Sequence, residues 1–314
     1  MSLPASTLAT YQAVGNREDL TDMIYRIAPT ATPFISGIER EKATNTLHEW
    51  QTQDLASATT NAQFEGDDPT TNATTVTVRL SNVTQISYKV ARVSGTQQAV
   101  QHAGRSNELA YQAMLKGLEL KRDMEVVVAG TNQTKVTGDT TTARTTASVL
   151  SWIKTNTSTT GTDPTTSGTV TRVDGTQRAF TEAQLKTVLS AVWTQGGSPD
   201  TIMVGAFNKQ VFSTFTGRAS PIQDAKAKKI TASVDAYESD FGTLKVVANR
   251  FTRSRDCLVL EMDKWALAFL NGRNMISIPL AKTGDSDRRQ VLAEYALVSR
   301  NEKASGAVYD LTTS

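Results

Sequence analysis

Three pairs of carboxylates lie close enough in the chain to attempt acid–base chemistry: Asp67 with Asp68, Asp285 with Asp287, and Glu261 with Asp263. General acid–base work needs two carboxylates at a fixed separation in unlike surroundings, so that one keeps its proton while the other ionises. The first two pairs fall in turn-like segments, where aspartate is favoured because its side chain bonds the local backbone. The third ends the apolar run CLVLEM and is expected at an exposed strand end. None of the three reads as catalytic. His48 and His102 have no ligand at metal spacing. Cys257 opens an apolar run, where a lone thiol behaves as a small buried hydrophobe.

Phosphate and nucleophile motifs are missing as well. There is no G-x-x-x-x-G-K-[ST], no G-x-G-x-x-G after a strand, no G-x-S-x-G elbow and no H-E-x-x-H. Asp240-Phe241-Gly242 matches a kinase triplet by letters alone and reads as a turn. Lys226, Lys228, Lys229, Arg288 and Arg289 could meet phosphates, but Asp224, Asp285 and Asp287 beside them favour solvated loops. No aromatics interleave with them as single-strand nucleic acid binding requires. The sequence therefore predicts no catalytic residue, no metal and no cofactor.

The elements around these residues must then carry the function. At 314 residues the chain is one large domain or two smaller ones. Its net charge of +2 exerts no global pull on nucleic acid or membrane. One cysteine excludes an intrachain disulfide. No window approaches the roughly 18–20 apolar residues of a membrane span. The start, MSLPASTLATYQ, has neither the basic region nor the apolar core of a signal peptide.

Residues 16–27 predict a short helix, with Asn16 as cap and Leu20, Met23, Ile24 and Ile27 as one apolar stripe. Pro29 ends it, and PTATPFISGI follows, too broken by proline and glycine for a helix. Residues 44–95 predict a long β-hairpin or two long strands, with Val76, Val78 and Leu80 alternating against polar neighbours and a turn at GDDPTTN. Its charges are segregated: Asp54, Glu65, Asp67 and Asp68 on one part, Arg79, Lys89, Arg92 and Arg105 on the next. Such a hairpin needs something to pack on, and a neighbouring subunit would serve. Residues 106–129 predict a long helix whose stripe Tyr111, Met114, Leu115 and Leu118 reads as core.

Eighteen of residues 131–180 are threonine, which predicts a flexible or weakly β insertion anchored by Trp152 and Ile153. The sequons at Asn72, Asn82, Asn132 and Asn156 are products of that richness, not glycosylation sites. From 181 the pattern is α+β. A Thr181–Gln184 capping box starts a helix striped by Leu185, Val188, Leu189 and Val192. Strands are expected at TIMVG, ITASVDAYES, TLKVVAN and CLVLEM, with two more in the tail joined near 301–303.

Two stretches resemble a known family. GNREDLTDMIYRIAPTATPFISGI, Gly15–Ile38, is similar to the start of one branch of tailed-phage major head proteins, with an I-x-P-x-x-T-P-F arm at Ile27, Pro29, Thr32, Pro33 and Phe34. VLAEYALVSRNEKASGAV, Val291–Val308, resembles the family's closing strands. The order of arm, hairpin, long helix and α+β body also looks like the Hong Kong 97 phage capsid fold.

The resemblance implies an N-terminal arm (1–45), an extended loop (46–100) and a peripheral domain with spine helix and Thr-rich insertion (101–180). It further implies an axial domain (181–280) and C-terminal strands returning to the peripheral domain (281–314). It implies hexamers and pentamers in an icosahedral head enclosing double-stranded DNA, met by weak non-specific contact. A separate scaffold, a portal and minor or decoration proteins are the expected partners. Assembly is expected in the host bacterial cytoplasm. Inter-subunit contacts are expected from Pro33, Phe34 and Ile35 on the arm. On the loop and its strands they are expected from Trp50, Asp67, Asp68, Arg79, Lys89 and Arg92. On this reading, deleting residues 1–38 would leave folded subunits that fail to close shells. The alternatives are an encapsulin-type compartment shell and a carboxylate-dependent hydrolase around Glu261 and Asp263.

Overall fold

The computed structural model describes residues 31–68, 74–100, 107–215 and 236–314. The expected helix at 16–27, His102, Arg105 and the basic loop at 226–229 lie outside these residues. Along the chain come α1 (Pro33–Gly37), β1 (Glu39–Ala43), β2 (Leu47–Thr52), β3 (Val78–Val83), β4 (Gln85–Ser94), α2 (Gly95–Ala99) and α3 (Glu108–Glu125). A π-helical turn, Val126–Gly130, extends α3. Then follow α4 (Val149–Trp152), β5 (Thr157–Ser158), α5 (Glu182–Thr194), β6 (Thr201–Val204), α6 (Ala206–Phe212), β7 (Ala236–Ser239) and β8 (Gly242–Ala248). The chain closes with β9 (Cys257–Leu260), β10 (Trp265–Leu270), β11 (Ile276–Leu280), β12 (Ser286–Ser299) and β13 (Gly306–Val308).

Two sheets make the body. The first is built on β12, a strand of 14 residues paired antiparallel with β4 along one edge and with β10 and β11 along the other; β1 adds parallel to β10. From Val291 to Ser299 every residue of β12 is buried, the unbroken pattern of a strand covered on both faces. The second sheet runs β5-β13-β9-β6-β8-β7. One core cluster joins them, with Phe34, Leu120, Met124, Trp152, Trp265 and Leu297 among its members. A second lies under α5, where Leu185, Val188, Leu189 and Val192 are buried as their spacing predicts and Thr181 N–H donates to Gln184 Oε1.

Three expectations need correction. The hairpin is short: β2 pairs with β3 over six positions, Val76 lies outside the strands, and β4 belongs to the first sheet. Alternation had blurred two sheets into one ribbon. The boundary expected at 280 separates β10 and β11 from β12, to which they are bonded. The chain instead changes sheet at the 3-10 turn Met262–Lys264 and changes back before β13. PTATPFISGI contains a helical turn, α1, with Pro33 in its first turn where a missing N–H costs nothing.

The Thr-rich stretch is bonded throughout, not a loose insertion. Its hydroxyls take the role that regular structure plays elsewhere: Thr131 donates to Val127 O, Thr145 to Thr134 O and Thr160 to Thr176 O. Trp152 and Ile153 are buried, as expected. A charged cluster fastens the segment to the C-terminus. Arg172, its side chain fully buried, lies 4.0 Å over the Tyr309 ring and pairs with Asp310 at 2.9 Å and Asp174 at 2.6 Å. Asp310 also accepts from Arg255 (2.8 Å), Gly175 N–H (2.9 Å) and Gly161 N–H (3.0 Å).

Asp256 sits beside this cluster, 3.2 Å from Arg253 and 1% exposed. Burial pushes its carboxyl up to about 7, against the pull of Arg253 and Arg172. With the folded value above the unfolded one of about 3.9, ionisation costs the native state as pH rises from about 4 to about 7 and is constant above that. Asp256→Asn removes the titration. Denaturant melts are expected to show the wild type losing about 2–3 kcal/mol relative to this variant between pH 5 and pH 8. Parallel pH profiles would refute the assignment.

Candidate subunit-contact surface

The hairpin root is held to the body by Trp50. Its indole Nε1–H donates to Ser299 O at 2.8 Å and its ring lies 5.5 Å from that of Trp152, tilted by 41°. Lys303 pairs with Asp54 at 2.8 Å and ties down the beginning of the loop beyond β2. Between them opens a cleft of ≈ 660 Å³, lined by Val78, Leu80, Trp152, Lys154 and Arg300 among others. Past Asp54 the described loop residues stand in solvent. Leu55, Phe64 and Val76 are each more than four-fifths exposed. Gly66, at φ +83°, makes the turn that presents Asp67 and Asp68, with Asp67 N–H donating to Phe64 O.

The site residues expected from the sequence divide accordingly. Asp67 and Asp68 are exposed at the loop turn, and Arg79 is exposed on β3, 3.5 Å from Glu49. Trp50 is committed within the chain. Lys89 pairs with Asp123 of α3 at 2.8 Å, and Arg92 Nε donates to Ser286 Oγ at 3.0 Å. Pro33 is half-buried at the rim of a second, smaller cleft. Phe34 and Ile35, expected to anchor on a neighbour, are buried in the chain's own core, with Phe34 edge-on to Trp265. Removing residues 1–38 would take Phe34, Ile35 and Ile38 out of that core, so this truncation tests folding and not assembly.

Sequence reasoning missed Glu125, which fixes α1. Phe34 N–H and Ile35 N–H donate to its two oxygens at 2.8 and 2.9 Å, and Asn249 Nδ2 donates at 2.7 Å. Burial pushes this carboxyl above its ordinary value, opposed by those three bonds. The signal was there: a single acid inside the apolar run MEVVVA. Asp310, inside GAVYDL, carried the same signal.

The helix stripe also needs correction. The residues of α3 that enter the core are Leu120 and Met124, followed by Val128 in the π turn. Met114 is 47% exposed, and Tyr111, Leu115 and Leu118 are half-buried. Counting 3.6 residues per turn places the predicted stripe on the side of α3 away from the first sheet. Gly130 closes the helical segment where a Cβ would stand 2.0 Å from Phe251 O.

The carboxylates of the three pairs are exposed or engaged in ion pairs and hydrogen bonds. Glu261 and Asp263 both bond Lys264, and Glu261 also accepts from Ser198 N–H. Asp287 pairs with Lys282, and Cys257 is buried. Among the described residues no group of acidic, histidine or cysteine side chains converges to hold a metal ion, and no helix is long and apolar enough to cross a membrane.

Comparison with known proteins bears on the whole chain. The profile of the family described as SU10 major capsid protein matches residues 6–312. The major capsid protein of Escherichia phage Phieco32 is 27% identical over 341 residues, covering 96% of each chain. The capsid protein of cyanophage A-1(L) superposes with a TM-score of 0.62 at 12% identity, over 98% of this chain and 99% of that one. The SrpI encapsulin of Synechococcus elongatus superposes with a TM-score of 0.60 at 8% identity, over 95% and 93%. The architecture is thus the Hong Kong 97 fold, as the sequence resemblance implied, and is shared by phage and compartment shells alike.

Proposed function

The chain belongs to the SU10 major capsid protein family, and on that premise we propose that its copies form the hexamers and pentamers of an icosahedral tailed-phage head around double-stranded DNA. The single observation that carries this reading is the family match across residues 6–312. The fold alone does not separate a phage head from an encapsulin shell, since both superpose on it; the sequence relationship favours the phage. The family is structural, and the protein is assigned no reaction. A net charge of +2 suits weak, sequence-independent contact with packaged DNA. A separate scaffold, a portal and decoration proteins complete the assembly, which takes place in the bacterial cytoplasm and ends in the virion.

In this proposal residues 1–45 are the arm, 46–100 the extended loop, 101–180 the peripheral domain and 181–280, less β10 and β11, the axial domain, with 281–314 returning. The sheet pairing of β10 and β11 supports assigning these two strands to the peripheral side. The loop beyond Asp54 is the element that meets a neighbouring copy. Its Phe64 is 88% exposed, and burying a side chain of this kind is worth roughly 1.5–3 kcal/mol per contact.

Expression of the chain with its scaffold, followed by negative-stain electron microscopy and light scattering, should give rings or shells. Particles with nuclease-resistant DNA from infected cells mark a phage head; particles with an enzyme cargo mark a compartment. The paired change Phe64→Asp with Val76→Asp is expected to leave subunit melting unchanged, because both side chains are solvent-exposed. It should raise the concentration needed for shell formation at least about tenfold. Unaltered assembly of that variant would remove the loop from the contact.

A further inference from the structure

The first sheet packs one face on α3 and leaves much of the other open. Odd-numbered residues of β4 and β12 lie on the α3 side: Ser87 meets Tyr295 Oη of the core, and Lys89 meets Asp123. The even-numbered residues point the other way, since side chains alternate across a strand. Along the first half of β4 this reverses the usual polarity. Ile86 and Tyr88 are 42% and 58% exposed, while Gln85, Ser87 and Lys89 lie on the packed side. The register carries this open patch across three strands. Ile278, Gln290 and Val90 form one outward row, and Leu280, Arg288 and Arg92 the next. In that second row two like charges stand directly opposite each other, a destabilising arrangement. Arg92 donates to Ser286 Oγ at 3.0 Å and Arg288 to Ala281 O at 2.8 Å, both neutral acceptors, and neither arginine has an ion pair among the described residues. Asp287 lies on the opposite face and pairs with Lys282.

We propose that this open face is the seat of the loop turn Phe64–Asp68 of a second copy of the chain. The inference rests on the reading that the loop beyond Asp54 meets a neighbouring copy, and it adds where on that copy the loop lands. Charge selects the occupant. From Gln51 to Asp68 the chain carries Asp54, Glu65, Asp67 and Asp68 and no lysine or arginine, and Asp67 and Asp68 are exposed. Set over Arg92 and Arg288, these two acids supply the missing counter-charges. Two copies meeting through the same face would offer the arginines no carboxylate, so the contact is heterologous, the type that closes rings. Spacing selects the register. The turn closed by Asp67 N–H on Phe64 O brings residues 64 and 67 within about 7 Å of each other. Successive rows on one face of a sheet are also about 7 Å apart. With the acids over Arg92 and Arg288, Phe64 covers the next row. Its ring, 88% exposed in the single chain, then meets Ile278, Gln290 and Val90.

The test is disulfide crosslinking in the full chain, assembled with its scaffold. Cys257, fully buried, stays in place as an unreactive thiol. Phe64→Cys combined with Gln290→Cys, oxidised with copper phenanthroline, is expected to give dimers and longer ladders on a non-reducing denaturing gel. Phe64→Cys combined with Ser277→Cys, exposed on the opposite face of the same sheet, should give at least tenfold less. A crosslinked product running as a monomer would mean that the loop folds back on its own subunit, and would overturn the proposal. Shells that form with equal yields from both pairs, or with none, would overturn this seat and leave the loop's contact with a neighbour standing. Failure of the unmodified chain to assemble at all would bring down that underlying reading, and the seat with it. Charge exchange gives an independent result that needs no cysteine. Arg92→Glu with Arg288→Glu should raise the concentration needed for shell formation at least tenfold while subunit melting is unchanged. Adding Asp67→Lys and Asp68→Lys should restore most of the loss. No recovery in the fourfold variant would refute the pairing whether or not the cysteine variants assemble.

Discussion

Replacing Asp310 with alanine is expected to cost about 3–5 kcal/mol of folding stability, read as a fall in the denaturant midpoint with an unchanged slope. The size follows from what the carboxylate holds. It is fully buried, and it accepts from Arg172, Arg255 and Thr159 side chains and from the N–H groups of Gly161 and Gly175. Without it, the Arg172 guanidinium, whose side chain has no solvent contact, keeps Asp174 and the Tyr309 face but loses its buried counter-charge. The loop 159–175 loses its attachment to the C-terminal segment in the same step. Asp310 also sits at φ +60°, so alanine adds backbone strain that asparagine tolerates better. Asp310→Asn should therefore lose clearly less.

The pH dependence distinguishes this account from one of shape alone. Burial by itself would push the Asp310 carboxyl up. The Arg172 bond, the Thr159 hydroxyl and Gly175 N–H outweigh it and hold the group far below the usual carboxylate range. A folded value below the unfolded one means stability that is complete above about pH 4 and is lost as pH falls toward the folded value. Wild type and Asp310→Asn should thus converge as pH drops from 4 toward 2. A constant gap would mean that charge plays no part.

The same two buried acids explain how far the sequence could be read. The apolar elements were legible: α5 and its buried stripe, β6, β8 and β9 all lie where their apolar residues place them, because α5 and β8 turn one face into a core and β6 and β9 are buried along their whole length. The family resemblance rested on the two ends of the chain, and it located the fold. What could not be read was which surface each stripe faces. Tyr111, Met114, Leu115 and Leu118 have helical spacing and still turn away from the first sheet, because spacing fixes which residues share a face and not what covers it. Alternation likewise joined β3 to β4, although Thr84 separates them and they serve different sheets. The arm was misread for the opposite reason. One turn of helix around Phe34 has too little sequence to show a period, and its partner Glu125 is 90 residues away. The loop acids Asp67 and Asp68 were placed at a turn correctly, since a turn is local chemistry.

Glu125 is where that distant partnership can be measured. Two N–H groups from α1 and one amide from Asn249 converge on it, all three of them donors. Three donors require an acceptor on both oxygens, so the bound form is the carboxylate, although burial pushes its pKa up. Glu125→Ala leaves three buried donors unpartnered, at about 1–3 kcal/mol for each group not reached by water. The expected loss is about 3 kcal/mol or more. Glu125→Gln fits the same space and can accept from Phe34 and Asn249 through one oxygen, but it turns an NH2 toward Ile35 N–H. About 1–2 kcal/mol should be lost. The damage should also be local before it is global. Amides of residues 32–38 should exchange faster in Glu125→Ala under conditions where those of β12 keep their protection. If both variants melt like the wild type, α1 is held by Phe34 and Ile35 packing alone, and the carboxylate is not what fixes the start of the arm to the spine helix.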